Sequence, residues 1–257
     1  MSDKNPSVVL MLDQTINFNN FVANMNDDWE YKCKHDISEQ PNFINYSFNY
    51  GNMLFVCSEF ASKFPEDIMD DVKDSIYGDG LEEIYKNHTK FWVVCIVENS
   101  EKDLTKVYTF FTRVIMSMLR ACEKSLVYNV RSSLVIESDM YLQMYDKMKS
   151  WYEKDVYIFP IEWYVNIRIY GDDKKLSSYT LGFDAFNGYE IEIHNKTIKY
   201  KEMLNIMKFI VIKVVSTYDK IKNKDIIPVP LDDNYVEAIV KQFNSEILNK
   251  EALAIIF

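Results

Sequence analysis

Two glutamates, Glu190 and Glu192, have the residue type and spacing best suited to chemistry. They lie in YEIEI, an alternating run that predicts a β-strand, so both side chains leave the same face. Same-face neighbours on a strand are roughly 6–7 Å apart. At that separation two carboxylates can share a divalent cation or divide the roles of acid and base. The favoured interpretation is simpler: a solvated outer face opposite Tyr189, Ile191 and Ile193.

The three histidines of the chain show no metal-binding spacing. His88 precedes the apolar run FWVVCIV and His194 follows EIEI, so each is predicted at a strand end, where it could face a cleft. A lone histidine beside a turn is more often structural. No catalytic or metal-binding residue and no cofactor is predicted. The predicted ligand or partner contacts are Glu190, Glu192, His88, His194, Tyr179 and Trp163.

Sequence motifs for nucleophilic catalysis and phosphate binding are missing. The chain contains no GxSxG, SxxK, GxGxxG or GxxxxGK[ST] pattern, so the sequence favours a protein that is not an enzyme. The four cysteines lack CxxC spacing, and Cys57 and Cys95 lie in apolar runs where cysteine behaves as a small hydrophobe. Because the first residues do not read as a secretory signal, we expect reduced thiols and a cytoplasmic location.

Two of the six glycines, Gly182 and Gly188, lie just before YEIEI. Asn187-Gly188 is a strong turn dipeptide, and a glycine there permits a positive φ. Gly182 is expected to end or bulge the preceding strand. Both glycines are therefore predicted to be structural turn residues.

The elements that must position these residues predict an α+β fold. Short apolar runs joined by tight turns favour a mixed, largely antiparallel sheet, covered by long amphipathic helices. One compact domain over 1–257 is expected, with two pseudo-similar lobes, 1–88 and 89–257, as an alternative. The predicted strands include 8–12, 53–57, 91–97, 162–170 and 189–193, and the predicted helices include one opened by Ser100, one over 200–218 and one over 232–248.

Composition excludes several classes of function. With 48 % apolar and 26 % charged residues among 257, the chain can bury a core. A net charge of −10 repels phosphate backbones, so nucleic-acid binding is disfavoured. No run of 18 apolar residues predicts a membrane span. An acidic surface does suit a basic protein partner.

The second half resembles an uncharacterised bacterial family known as domain of unknown function 4261. The similarity covers roughly 85–230, from HTKFWVVCI through FPIEWYVNIRIY to TLGFDAF and YEIEI. A second histidine expected shortly after the first is replaced here by Phe91. The resemblance implies a fold more than an activity. The positions that match the family pattern are Thr180, Leu181, Gly182, Phe183, Ala185, Phe186, Glu190 and Glu192.

Three functional hypotheses follow. The leading one is a cytoplasmic, non-catalytic protein-binding module, an immunity-type protein or antagonist that sequesters a basic, toxin-like partner in bacterial conflict. The second is an enzyme or a small-ligand or metal-binding domain that uses the Gly182–Glu192 region. The third is self-assembly, for example a homodimer, through exposed aromatic residues such as Tyr164 and Tyr170.

Overall fold

The chain folds into two compact units, residues 1–160 and 161–257, each with its own sheet. A computed structural model describes residues 5–41, 43–78, 80–122, 124–172, 174–231 and 234–257. The predicted α+β class with largely antiparallel sheets is confirmed. The division falls after Pro160 rather than between 88 and 89, because the strand that follows residue 89 is built into the middle of the first sheet.

The first unit is a seven-stranded sheet in the order β2-β3-β4-β5-β1-β6-β7, with every neighbouring pair antiparallel. Its strands are β1 (Ser7–Leu12), β2 (His35–Gln40), β3 (Phe43–Tyr50), β4 (Met53–Phe60), β5 (Lys90–Asn99), β6 (Leu126–Asn129) and β7 (Leu134–Glu137). Its helices are α1 (Phe18–Trp29), α2 (Met69–Asp74), α3 (Leu81–Asn87), α4 (Leu104–Leu119), α5 (Ser138–Leu142) and α6 (Tyr145–Glu153).

The long helix of this unit, α4, begins three residues later than the predicted start at Ser100. The Asp103 carboxylate accepts the backbone N–H groups of Thr105 at 2.9 Å and Lys106 at 3.3 Å, and so supplies the N-cap. Most of α4 after its first turn is buried. Ile68 just before α2, Val72 in α2 and Leu81 in α3 belong to an apolar cluster with residues of β1, β5, β6 and β7.

The second unit is a six-stranded sheet in the order β11-β12-β13-β10-β9-β8, in which only β10 and β13 pair in parallel among the described residues. The apolar side of α8 packs against this sheet. The strands are β8 (Asn166–Gly171), β9 (Leu176–Leu181), β10 (Glu190–Lys196), β11 (Ile226–Leu231), β12 (Asn234–Ser245) and β13 (Lys250–Ile256), and the helices are α7 (Asp184–Asn187) and α8 (Tyr200–Thr217), with a 3-10 turn at Ile161–Trp163.

The strand predicted over 162–170 is only half correct, because its first residues form the 3-10 turn. The N–H groups of Tyr164 and Val165 both donate to the Ile161 carbonyl, at 3.0 and 2.9 Å. Trp163, Tyr164 and Val165 are consecutively buried, which breaks the alternation that the letters suggest. Tyr164 is 2 % exposed, so it cannot belong to an exposed self-assembly face, whereas Tyr170 is 42 % exposed.

The helix predicted over 232–248 is wrong, because the described part of that segment is the long strand β12. It pairs with β11 on one side and β13 on the other, and β13 is the apolar tail of the chain. Burial alternates along it, with Ala238 and Val240 buried and Ile239 and Lys241 exposed. That period of two and the β-branched residues are the signals of a strand. Residues 232 and 233 lie outside the described residues.

Candidate functional site

The loop between β9 and β10 brings both predicted glutamates into the interior of the second unit. Glu190 and Glu192 are each 1 % exposed, so the interpretation as solvated outer residues is wrong. Their strand pairs with β9 on one side and β13 on the other, in the middle of the sheet. A central strand has no solvated edge, and a buried carboxylate there needs hydrogen-bond donors.

Glu190 receives its donors from the loop that precedes it. The Thr180 hydroxyl donates to Oε2 at 2.7 Å, the Gly182 N–H donates to Oε1 at 2.7 Å, and the Phe183 N–H donates to Oε2 at 3.0 Å. Lys250 on β13 lies 3.5 Å from Oε1 and 2.9 Å from the Asp184 carboxylate. Glu190 therefore ties the end of β9, the start of α7 and β13 together.

The glycines of this loop have the backbone geometry that the turn requires. Gly182 has φ +88° and Gly188, which ends α7, has φ +94°, both in the left-handed region that disfavours other residues. The positive φ at Gly182 accompanies the donation of its N–H to Glu190. A short helical turn thus converts one strand into the next while its first N–H groups bond a carboxylate.

Burial raises the pKa of Glu190 to about 7, and the nearby Asp184 carboxylate adds to the rise. The Thr180 hydroxyl, Lys250 and the Gly182 N–H act in the opposite direction. Desolvation disfavours the charge and the donors favour it, and the raised pKa means that desolvation outweighs the donors. The observed donors come from β9, from the residues before α7 and from β13, so Glu190 acts as a structural link.

Glu192 lies two residues further along β10 and has a different set of contacts. Its Oε2 is 3.0 Å from His194 Nε2, and its Oε1 has no hydrogen-bond partner among the described residues. The His194 side chain is 38 % exposed and packs edge-on against Phe243 at 5.6 Å between ring centroids. A buried carboxylate that bonds Nε2 fixes the ring, and the other ring nitrogen, Nδ1, lies on the far side.

The neighbours of Glu192 across the sheet are large and polar. Tyr179 on β9 is paired with Glu192, and Arg168 on β8 is paired with Tyr179, so the three side chains share one face. The Tyr170 ring lies 5.9 Å from Tyr179. Burial and Glu192 raise the pKa of Tyr170, and a hydrogen bond with the Ser177 side chain acts against them. The structure therefore groups Glu192, His194 and the predicted Tyr179 at one place.

The remaining predicted contacts lie elsewhere. His88 belongs to the first unit and is 3 % exposed. Its Nε2 accepts the Phe64 N–H at 2.9 Å and its Nδ1 contacts the Tyr85 carbonyl, while burial lowers its pKa. Both nitrogens therefore bond backbone in the neutral ring, which is a structural arrangement. Trp163 is 5 % exposed in the 3-10 turn that begins the second unit.

An apolar row on the second sheet, here called the isoleucine row, is not predicted from the sequence. Ile226, Ile239 and Ile256 are in register on β11, β12 and β13. They are 62 %, 56 % and 47 % exposed. The alternation in YVEAIVKQF is a sequence signal for Ile239, but that segment is predicted to be a helix. ALAIIF gives no such signal, because Ala252 to Ile255 are all buried. Cross-strand neighbours lie about 5 Å apart, so the three side chains form one continuous strip.

Charge and exposed apolar groups are distributed unequally between the units. Residues 1–160 contain 25 acidic and 16 basic residues, so the first unit carries −9 of the net −10. Among the described residues, nine of the thirteen exposed large hydrophobic side chains belong to the smaller second unit. The first unit is thus strongly acidic, and the second is nearly neutral with an apolar surface.

Comparisons of the chain with protein-family models, with curated proteins and with solved structures find no match. The resemblance to domain of unknown function 4261 therefore stays a prediction. Within the described part of the chain, no group of three or more His, Cys, Asp or Glu residues is arranged to hold a metal ion. No helix among the same residues has both the length and the apolar character required to cross a membrane.

Proposed function

We propose that this protein is a cytoplasmic, non-catalytic protein-binding module that uses the isoleucine row of its second sheet as an apolar contact. The observation that carries the proposal is the exposure of Ile226, Ile239 and Ile256 in register on adjacent strands. A sheet face exposed to water normally presents polar side chains. A continuous apolar strip in its place is typical of a surface that binds another protein.

The charge of the first unit supports a basic partner. An excess of nine negative charges on residues 1–160 attracts a positively charged protein and speeds its association. An antagonist of a basic toxin in bacterial conflict is the form of the proposal that suits this charge. Such a protein needs a complementary surface rather than a reactive centre.

Recovery of the protein from its native host with a stoichiometric protein partner tests the proposal. Ile239→Lys places a charge at the centre of the row and is expected to lose the partner. Ile37→Lys is the matched control, since Ile37 is 53 % exposed but belongs to the first unit. Absence of a stoichiometric partner, or equal retention by both variants, would contradict the proposal.

A second candidate function, a ligand site at Glu192 and His194, is favoured by one observation. The Glu192 oxygen Oε1 is buried without a partner among the described residues, next to an imidazole that is partly exposed. Such an oxygen accepts a hydrogen bond from a cationic donor, so methylguanidine is a suitable probe. Its binding should shift the His194 ring signals in NMR spectra of the wild type and not in Glu192→Gln. Unshifted His194 signals at millimolar methylguanidine would remove this candidate.

A further inference from the structure

A groove runs between α8 and the edge strand β11 of the second unit. Its volume is about 230 Å³, which is smaller than the roughly 300–1,000 Å³ of small-molecule pockets. Seven of the eleven residues that line it are apolar and four are charged, so its size and chemistry fit a partner segment that carries both apolar and charged side chains. The apolar lining consists of Phe209, Ile210, Val214, Ile221, Ile226, Ile227 and Pro228.

The groove is continuous with the isoleucine row, because Ile226 belongs to both. Near it, the ring of Phe209 lies 5.8 Å from the ring of Tyr235, which is 67 % exposed. Aromatic side chains next to an apolar depression are the usual anchors of protein interfaces. The groove therefore extends the apolar surface of the second unit around the edge of the sheet.

The charge around the groove is opposite in sign to that of the first unit. The segment 199–225, which includes α8 and the chain leading to β11, contains seven lysines and three acidic residues. Lys213, Lys220, Asp219 and Asp225 line the groove itself. The Asp225 carboxylate accepts the Lys222 N–H at 2.8 Å. The lining itself is thus balanced in charge, and the excess of lysines in the rest of the segment is what complements an acidic partner.

The edge strand also indicates how a partner would bind. Within the part of the chain that the structure describes, β11 pairs with β12 alone, so its other edge has no strand pairing there. Pro228 and Pro230 lack N–H groups and remain in register with β12, so the donors that they lack belong to the free edge. Addition of a partner strand is disfavoured there. Recognition by an amphipathic helix uses side chains and needs no free strand edge, so it suits this groove.

We propose that the groove between α8 and β11 docks an amphipathic helix of a partner protein, with apolar side chains in the groove and acidic side chains against the lysines. The inference rests on the proposed function and deepens it by naming the chemistry of the partner segment. The helix that docks in the groove would be acidic, whereas the partner surface that binds the acidic first unit would be basic. One partner can carry both surfaces, as proteins with separate basic and acidic regions do.

A pair of synthetic helical peptides tests the proposal by fluorescence anisotropy. Both carry leucines at positions i, i+3, i+4 and i+7 and a fluorescein label; the other positions are Glu in one and the uncharged Gln in the other. The Glu peptide is expected to bind the full-length protein at least about tenfold more tightly than the Gln peptide. Its affinity should fall as salt is added, since exposed charges are screened.

Two lysines of the same helix supply the matched variants. Lys213→Glu reverses a charge that lines the groove and should weaken the Glu peptide roughly tenfold. Lys208→Glu makes the same change at an exposed position outside the groove and should weaken it far less. Ile226→Asp should abolish binding. Thermal unfolding followed by circular dichroism shows whether each variant is folded before its affinity is compared.

Several outcomes would overturn the inference. Preference for the Gln peptide, or an equal loss with Lys208→Glu and Lys213→Glu, contradicts docking of an acidic helix in the groove. Concentration-dependent dimerisation lost in Lys213→Glu would assign the groove to a second copy of this chain. Loss of the host partner in Ile239→Lys but not in Lys213→Glu would remove this inference and leave the proposed function standing. The reverse failure, peptide binding without any host partner, would remove the proposed function alone.

Discussion

Glu190 and Glu192 lie on the same strand and are equally buried, but they differ in how completely their oxygens are hydrogen-bonded. Both are 1 % exposed. Glu190 bonds Thr180, Gly182 and Phe183 and lies beside Lys250. Glu192 bonds only His194, which leaves Oε1 without a partner among the described residues.

The difference shows that burial alone does not tell a structural carboxylate from a functional candidate. Glu190 is bonded by a loop that folds around it, so it stabilises the fold and can accept little more. Glu192 is equally buried but has fewer hydrogen bonds, and an unsatisfied buried oxygen costs about 1–3 kcal/mol of stability. No contact described for Glu192 offsets this cost, so Glu192 is the better candidate for a role in binding.

The largest expected effect is a difference in stability between two isosteric substitutions, Glu190→Gln and Glu192→Gln. At pH 8, Glu190→Gln should reduce the free energy of unfolding by roughly 3–4 kcal/mol, because either orientation of the amide turns an NH₂ group toward a donor and the pairing with Lys250 is lost. Glu192→Gln should cost less than about 1 kcal/mol, since its NH₂ can take the place of the unpartnered oxygen. Urea unfolding measures both, and equal losses would end the distinction between the two sites.

The second-largest effect is expected in the pH dependence of stability, through the titration of Glu190. Its pKa is raised to about 7 in the folded protein from an ordinary value of 4.5, so the folded state holds the proton more tightly. Stability is therefore greatest below about pH 5 for this group and falls by roughly 2–3 kcal/mol as the pH rises through 7. Unfolding curves between pH 5 and 8 measure the fall. It should be absent in Glu190→Gln, and an identical fall in that variant would assign it to other groups.

The bond between Glu192 and His194 has a smaller expected effect. His194→Phe keeps an aromatic ring against Phe243 but removes the donor, which leaves a buried carboxylate without a hydrogen bond. We expect a loss of about 1–2 kcal/mol in the wild type and a smaller one in the Glu192→Gln background. A double-mutant cycle in urea gives the coupling energy. Additive losses would mean that the contact does not hold the carboxylate.

The smallest effect is expected at the turn that leads into β10. Gly188 has φ +94°, and a Cβ there would meet nothing within 4 Å, so Gly188→Ala suffers only backbone strain. A loss of about 1 kcal/mol is expected. At Gly171, with φ +130°, a Cβ would lie 2.1 Å from the Lys175 carbonyl oxygen, so the same substitution should cost clearly more. Thermal and urea unfolding of both variants check this order, and a neutral Gly188→Ala would contradict the strain.

Local pattern predicted the parts of the fold in which one period dominates. The helix predicted over 200–218 is α8, and the apolar runs at 8–12, 53–57 and 91–97 are parts of β1, β4 and β5. The pattern failed where two periods compete, as in NYVEAIVKQFNS, which has enough polar residues for a helix but is held as a strand by two neighbours. Non-local pairing overrides propensity in such segments.

The sequence predicts which residues form the candidate site, but it does not predict how deeply they are buried or what they contact. The sequence singled out Glu190, Glu192, His194 and Tyr179, and the structure brings the last three together. The sequence does not indicate that β12 and β13 continue the sheet beyond β10. Without these strands, β10 is an edge strand, and with them it is central.

The sequence by itself determined the α+β class, the turn between TLGF and YEIEI and the acid excess, because these depend on residue types and short spacings. Tertiary structure alone decided that Lys250, 60 residues from Glu190, lies beside it, and that three isoleucines from different strands form one exposed row. Both depend on strand order and register. These are fixed by the summed burial of the whole sheet, and no local window of the sequence contains that sum.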